Sequence, residues 1–139
     1  MKKDNHEDTL LSIDYGQSNI GLALGRNGFS MPLHVVSGKN HALALQEIGR
    51  IAYENKVDKI IMGLPLSAEN KETEQSLLVR QFANKIRLQL KKPVEFVSEY
   101  FTSQTALEES ISMGTPQKGR SSIDHIAAAI ILKNYYEKK

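Results

Sequence analysis

The stretch from Leu10 to Leu24 constrains this chain more than any other: an apolar run breaks at an acid and a glycine, then resumes as a regular alternation. Side chains of a strand alternate with period two, so Leu11, Ile13 and Tyr15 share one face while Ser12 and Asp14 share the other. Beyond Gly16, the residues Ile20, Leu22 and Leu24 alternate with Gly21, Ala23 and Gly25. That gives one bulky face and one bare face, against which another element can come close. The pattern predicts a hairpin with Asp14 at its mouth.

Around this hairpin the chain punctuates itself clearly. A polar lead-in over 1–8 precedes a single domain over 9–139, a length that buries an ordinary core without disulfide staples. Arg26-Asn-Gly28 reads as a turn into a third strand over 31–36, where Pro32 marks a strand start or a sheet edge. Leu43, Ile48, Ile51 and Ala52 recur at helical spacing over 41–55, and a strand over 57–62 follows, ending at Gly63. Leu78, Phe82, Ile86 and Leu90 recur every fourth residue in a second helix over 74–90, which Pro93 stops. A strand over 94–99, a helix from Thr102 or Ser103 to about 113, a loop over 114–120 and a last helix over 123–136 complete the order. The fold class is therefore α/β: a mixed five-stranded sheet, three strands antiparallel and two parallel, with helices on both faces.

Composition removes several chemistries. There is no cysteine, hence no disulfide, thiolate metal site or thiol nucleophile, and the work falls to carboxylate, histidine and hydroxyl groups. No apolar run spans a bilayer and the start is too polar for a signal peptide, so a cytoplasmic protein is expected. A net charge of +2 neither supports nor excludes nucleic acid as a partner, since phosphate binding depends on local patches.

Ligand sites in such sheets lie at strand carboxyl ends, where the strand order switches. Asp14 and Glu99 fall at two such ends, and Asp124 lies in the first turn of the last helix, with Ala127, Ala128 and Ile131 at i+3, i+4 and i+7 on its inward face. Each acid also has a structural reading: a turn residue at Asp14, a solvated strand end at Glu99, a capping box with Ser121 at Asp124. Taken together, converging carboxylates repel and demand cations. Oxygen ligands suit Mg2+ or Mn2+, and a pair of such ions can drive phosphodiester hydrolysis without a side-chain nucleophile. Lys118 and Arg120 could clamp phosphate or be solvated loop charges. His125 could relay protons, but a lone helical histidine is more often structural. Arg80 and Lys85 read as a solvated helix face.

Ile13-Asp-Tyr-Gly16 with Ile20-Gly-Leu-Ala23, Met31-Pro-Leu33, Gly63-Leu-Pro-Leu66, Phe82-Ala83, Glu99 with Thr102, and the 123–132 helix followed by Tyr135 together resemble the YqgF family. Its members are named as pre-16S rRNA nucleases or Holliday-junction-resolvase-like proteins, and the resemblance runs from about Leu10 to Tyr136. It implies an RNase H-like fold and a metal-dependent endonuclease acting on structured nucleic acid, in pre-16S rRNA 5′-end processing or Holliday junction resolution. Asp14, Glu99 and Asp124 match the family's acidic positions as catalytic residues and ligands of Mg2+ or Mn2+. The partner would be pre-rRNA or branched DNA, bound by a monomer or a homodimer, with Lys118 and Arg120 as substrate contacts.

The chain departs from the family pattern where Ser98-Glu99-Tyr100 replaces the usual Asp-Glu-Arg, where Gln17-Ser18-Asn19 replaces basic residues, and where Ser67-Ala-Glu-Asn70 lacks an Asp-Gly pair. Those losses motivate a second reading, a catalytically weak or inactive nucleic-acid-binding protein on the same fold. A third, a nucleotide-binding module of the sugar-kinase and actin type, rests on Asp-x-Gly before a small-residue hairpin, but such ATPases need two domains around a cleft.

Overall fold

The computed structural model describes residues 8–98 and 122–138. Five strands, β1 (Leu10–Asp14), β2 (Asn19–Arg26), β3 (Phe29–Ser37), β4 (Lys59–Leu64) and β5 (Val94–Ser98), form one sheet in the order β3-β2-β1-β4-β5. The pairs β1–β2 and β2–β3 are antiparallel, whereas β1–β4 and β4–β5 are parallel. The mixed five-stranded sheet anticipated from the sequence is therefore present, with helices on both faces.

Local chemistry explains the boundaries. Arg26 pairs with Phe29 across Asn27 and Gly28, both at positive φ (56° and 83°), the two-residue turn whose twist suits a hairpin. Pro32 sits inside β3 rather than at its start. It is tolerated there because β3 is an edge, and the register shifts between Gly21 and Ala23 opposite it. Helix α1 (His41–Glu54) starts at Asn40, whose side chain accepts from the Leu43 backbone N–H at 3.1 Å. Helix α2 (Glu74–Leu90) starts in a reciprocal box between Thr73 and Ser76 and ends at Lys91 in the left-handed region. Helix α3 (Ser122–Lys138) closes the described chain. The expected helix from residue 102 to 113 lies outside the described residues.

One boundary moved. The strand expected over 57–62 runs from Lys59 to Leu64, because its limits are set by partners: Lys59 is where pairing with Leu10 begins, and Gly63 and Leu64 pair with Val97 and Ser98. Val57 instead closes the turn after α1, its N–H donating to the Ala52 carbonyl at 2.9 Å.

Alternation sorts the strands onto two faces. Leu11, Ile13, Tyr15, Ile20, Leu22, Ile60 and Met62 pack against α1 and α2, where Ile48, Phe82 and Ile86 are fully buried. Leu10, Ala23, Ile61 and Val97 pack against Ala128, Ile131, Leu132 and Tyr135 of α3. The bare face read in β2 is what α3 occupies. A Cβ added at Gly25 would lie 2.8 Å from the Tyr136 hydroxyl and 3.0 Å from a Leu132 methyl. No helix among the described residues is long and apolar enough to cross a membrane.

Candidate active site

Asp14 ends β1 on the face that α3 covers, two residues beyond Ser12 and four beyond Leu10. Its cross-strand partner on β2 is Gly21. On the other side, the parallel register that pairs Ile13 with Met62 brings Gly63 level with Asp14, and Gly63 shares the α3 face with Ile61. Both neighbouring strands therefore present glycine level with this residue. That is an unusual amount of bare backbone around one half-buried acid, and it is the kind of floor a hydrated ion or a phosphate needs.

The turn after Asp14 is equally constrained. A Cβ at Gly16 would fall 2.6 Å from the Asn19 carbonyl oxygen, and one at Gly38 the same distance from the Gly16 carbonyl oxygen. Only glycine allows both close approaches. A backbone bond from Gly38 N–H to the Ser18 carbonyl, 2.8 Å, then latches the turn to the end of β3. Gln17, Ser18 and Asn19 are exposed, so this turn presents polar, uncharged side chains at the Asp14 end of β1.

The direction of α3 follows from its contacts. Leu132 and Tyr136 meet Gly25, which pairs with Leu10, while the Ala128 carbonyl accepts from the Ser12 hydroxyl at 2.6 Å. Moving along β1 toward Asp14 thus means moving back along α3, so the helix runs antiparallel to β1. Two strand residues advance ~6.6 Å and one helical turn of four residues ~6 Å. The step from Ser12 to Asp14 is therefore matched by the step from Ala128 to residue 124, and the first turn of α3, with Asp124, arrives at the Asp14 edge. Farther down, Lys59 Nζ lies 3.1 Å from both the Tyr135 hydroxyl and Glu95 Oε1, tying the other end of α3 to β4 and β5. These bonds, that to Tyr135 first, raise the Lys59 pKa against the opposing effect of burial.

Glu95 and Val97 lie on the α3 side of β5. Glu99, Lys118 and Arg120 fall outside the described residues, and the side chain of Asp124 is not described. Among the described residues no group of three acids or histidines is placed to hold a metal ion. His125 is half-buried, with Nδ1 making no hydrogen bond to a described residue, and burial, then the charge of His34, lower its pKa.

On the opposite face, directly behind Asp14, the structure holds a chain of groups that the sequence reading missed. The Tyr15 hydroxyl lies 2.9 Å from His41 Nε2, and Lys85 Nζ lies 2.8 Å from His41 Nδ1. Phe82 stacks on Tyr15 at 4.7 Å and meets the His41 ring edge-on at 5.0 Å. A lysine only donates, so His41 Nδ1 accepts and the Nε2–H donates to Tyr15. Burial first, and the Lys85 charge second, lower the His41 pKa, while burial raises that of Tyr15. The backbone next to Asp14 is thereby braced from behind. Lys85, read as part of a solvated face, is exposed but engaged.

Comparisons with known proteins agree with this arrangement. A family model described as RuvX, Holliday junction resolvase, matches residues 8–138. A protein of Paraburkholderia phymatum named "Putative pre-16S rRNA nuclease" is 33% identical over 133 residues, covering 94% of this chain and 86% of its own length. A protein of the same name from Nitrosospira multiformis is 32% identical, covering 96% and 91%. Among solved structures, Thermus thermophilus RuvC in complex with a Holliday junction substrate superposes with a TM-score of 0.59 at 13% identity, covering 94% of each chain. That likeness shows the fold, which is RNase H-like. This chain belongs to the RuvX family of Holliday junction resolvases, a nuclease family.

Proposed function

We propose that the chain is a metal-dependent endonuclease that hydrolyses phosphodiester bonds in structured nucleic acid, either a pre-16S rRNA 5′ end or a branched DNA. The observation that carries this reading is that Asp14 ends β1 level with Gly21 and Gly63, on the face that α3 covers. The donor set fits a divalent cation: Asp14, Glu99 and Asp124 offer only hard oxygen ligands, the chemistry of magnesium and manganese sites. A bound ion there supplies charge neutralisation at the phosphate and an acidified water. Asp14 would hold the position from the sheet and Asp124 from the helix, with Glu99 completing the set. Gly21 and Gly63 would leave space for the scissile phosphate, and Lys118 and Arg120 would contact its neighbours. Two copies would serve symmetric cutting of a four-way junction, and one copy would serve an RNA end.

The test is cleavage of a pre-16S rRNA 5′ fragment and of a four-way junction with magnesium or manganese. Asp14→Asn is expected to lower the rate about 100-fold or more, since even groups one shell out from a metal contribute 10–100-fold, while leaving the folded structure intact. Cutting that persists in this variant, or that needs no divalent metal, would overturn the reading. The exposed, uncharged Gln17–Asn19 mouth favours a second reading, a nucleic-acid-binding protein with weak turnover. Tight binding that survives loss of all three acids, with no cutting by the unaltered chain, would establish it.

A further inference from the structure

If the substrate is nucleic acid, the Gln17–Asn19 turn offers its phosphates no cation, and a second cationic surface would add affinity. At the opposite end of the central strands, a cavity of about 630 Å3 opens between the C-terminal ends of α1 and α2. Leu45, Leu90 and Val57 supply its apolar floor, and Tyr53, 85% exposed, stands at its rim. Gly49 of α1 faces Leu90 of α2 across it, a Cβ there reaching only 3.8 Å from the leucine methyl. Lys56 and Lys92 line the cavity and Lys91 adjoins Lys92. None of these three lysines forms an ion pair with a described carboxylate, whereas Arg50, Lys59 and Arg80 each do.

Lys56 and Lys91 share a further property. Both terminate a helix with positive φ, 55° and 57°, where glycine is the usual residue because a Cβ is disfavoured. A lysine at the negative end of a helix dipole offers one explanation for each. It does not explain why Lys56 and Lys92 line one cavity with an exposed aromatic ring at its rim. We infer that this cavity is a docking groove for a single-stranded nucleic-acid segment: a base stacks on Tyr53 over the apolar floor, and flanking phosphates meet Lys56, Lys91 and Lys92. Stacking plus cations, without base-edge readout, is how single strands are held irrespective of sequence. A duplex keeps its bases stacked inside and cannot use the ring in this way.

The groove lies where β4 begins, since the Asp58 N–H donates to the Thr9 carbonyl just before β1. From Asp58 to Gly63, level with Asp14, the strand advances ~17 Å. A strand held in the groove would therefore be cut several nucleotides away, its path wrapping from the α1/α2 face to the α3 edge. The proposal rests on nucleic acid being the substrate but not on cleavage.

The experiment uses the full chain and a fluorescein-labelled 12-nucleotide single strand of uridines, with chelator present so that nothing is cut. Affinity is read by anisotropy across a salt series. Tyr53→Ala is expected to weaken binding at least about fivefold, the low end for one stacked base, with Tyr53→Phe restoring it. Lys56→Gly and Lys91→Gly relieve the left-handed backbone and so keep the fold. Each is expected to reduce the slope of log affinity against log salt by about 0.7. Unchanged affinity and slope in the glycine variants would assign these lysines to the helix dipoles and overturn the proposal, as would a blunt duplex that binds through Tyr53 as well as the single strand does. A chain that binds through the groove but cuts neither substrate supports this inference while removing the nuclease reading. Asp14-dependent cutting with groove variants that bind normally does the reverse.

Discussion

On the α1/α2 side the strands present Leu11, Ile13, Ile20, Leu22, Ile60 and Met62, large side chains sealed by Ile48, Phe82 and Ile86. On the α3 side the same strands present Leu10 and Ile61 but otherwise Ser12, Asp14, Gly21, Ala23, Gly25 and Gly63, and the helix laid over them brings the Ala128 carbonyl to within 2.6 Å of the Ser12 hydroxyl. One face supplies apolar volume; the other supplies nearness and a carboxylate. A sheet that concentrates its burial on one side can leave the other thin enough for a helix to bring a second acid to the end of a central strand. Under the proposed function, the difference extends from the architecture to the site. Damage to the first face should be read mainly as lost stability, and damage to the second as lost geometry.

The largest expected effect tests the first half of that statement. Phe82→Ala removes a fully buried ring stacked on Tyr15 and should lower the unfolding free energy by about 3–5 kcal/mol in urea titration. Cleavage measured well below the new melting temperature should stay within a few-fold of the original. A much larger loss in folded protein would mean that the Phe82–Tyr15 stack positions Asp14, and the two faces would not be separable.

Gly25→Ala tests the other half. The new methyl would meet Tyr136 and Leu132, both flexible tips, so α3 should lift by a few tenths of an ångström at a cost of about 1–3 kcal/mol. Because α3 carries Asp124, cleavage should fall by clearly more than the change in folded fraction accounts for. If stability drops and cutting does not, the spacing between α3 and β1 does not govern the site.

How far the sequence foretold this depends on the range of the interactions involved. The alternation in Leu10–Gly25 is local, and it revealed the hairpin, the two faces and the bare surface that α3 covers. The helical repeats of α1 and α2 are local as well. The start of β4 was misplaced by two residues because only its register with Leu10 decides it. Gly63 read as a strand end for the same reason: its place beside Asp14 exists only through parallel pairing with β1. The Tyr15–His41–Lys85 chain joins residues 26 and 44 positions apart, and no periodicity links them. The groove at Tyr53 depends on two helix ends meeting in space. Asp14, Glu99 and Asp124 were grouped by resemblance; of these only the Asp14 side chain is among those described, and Glu99, Lys118 and Arg120 lie outside the described residues.

The smallest effect concerns what braces Asp14 from behind. His41 is neutral in the fold, accepting from Lys85 at Nδ1 and donating from Nε2 to Tyr15. Protonation would set a second N–H against the Lys85 ammonium, and both burial and that charge depress the folded pKa below its usual 6.5. Between the folded and the unfolded pKa the unfolded chain binds more protons, so stability rises with pH in that window. The contribution of His41 is then complete above pH 6.5 and is lost as pH falls toward the folded value. Melting curves from pH 7.5 down to 5 should show a steeper acid loss for the unaltered protein than for His41→Asn. Lys85→Met, which removes the opposing charge, should soften the loss while keeping the imidazole. Parallel curves for all three proteins would show that the histidine titrates no differently in the folded and unfolded chain, and the brace behind the acid would then act through Phe82 and Tyr15 packing alone.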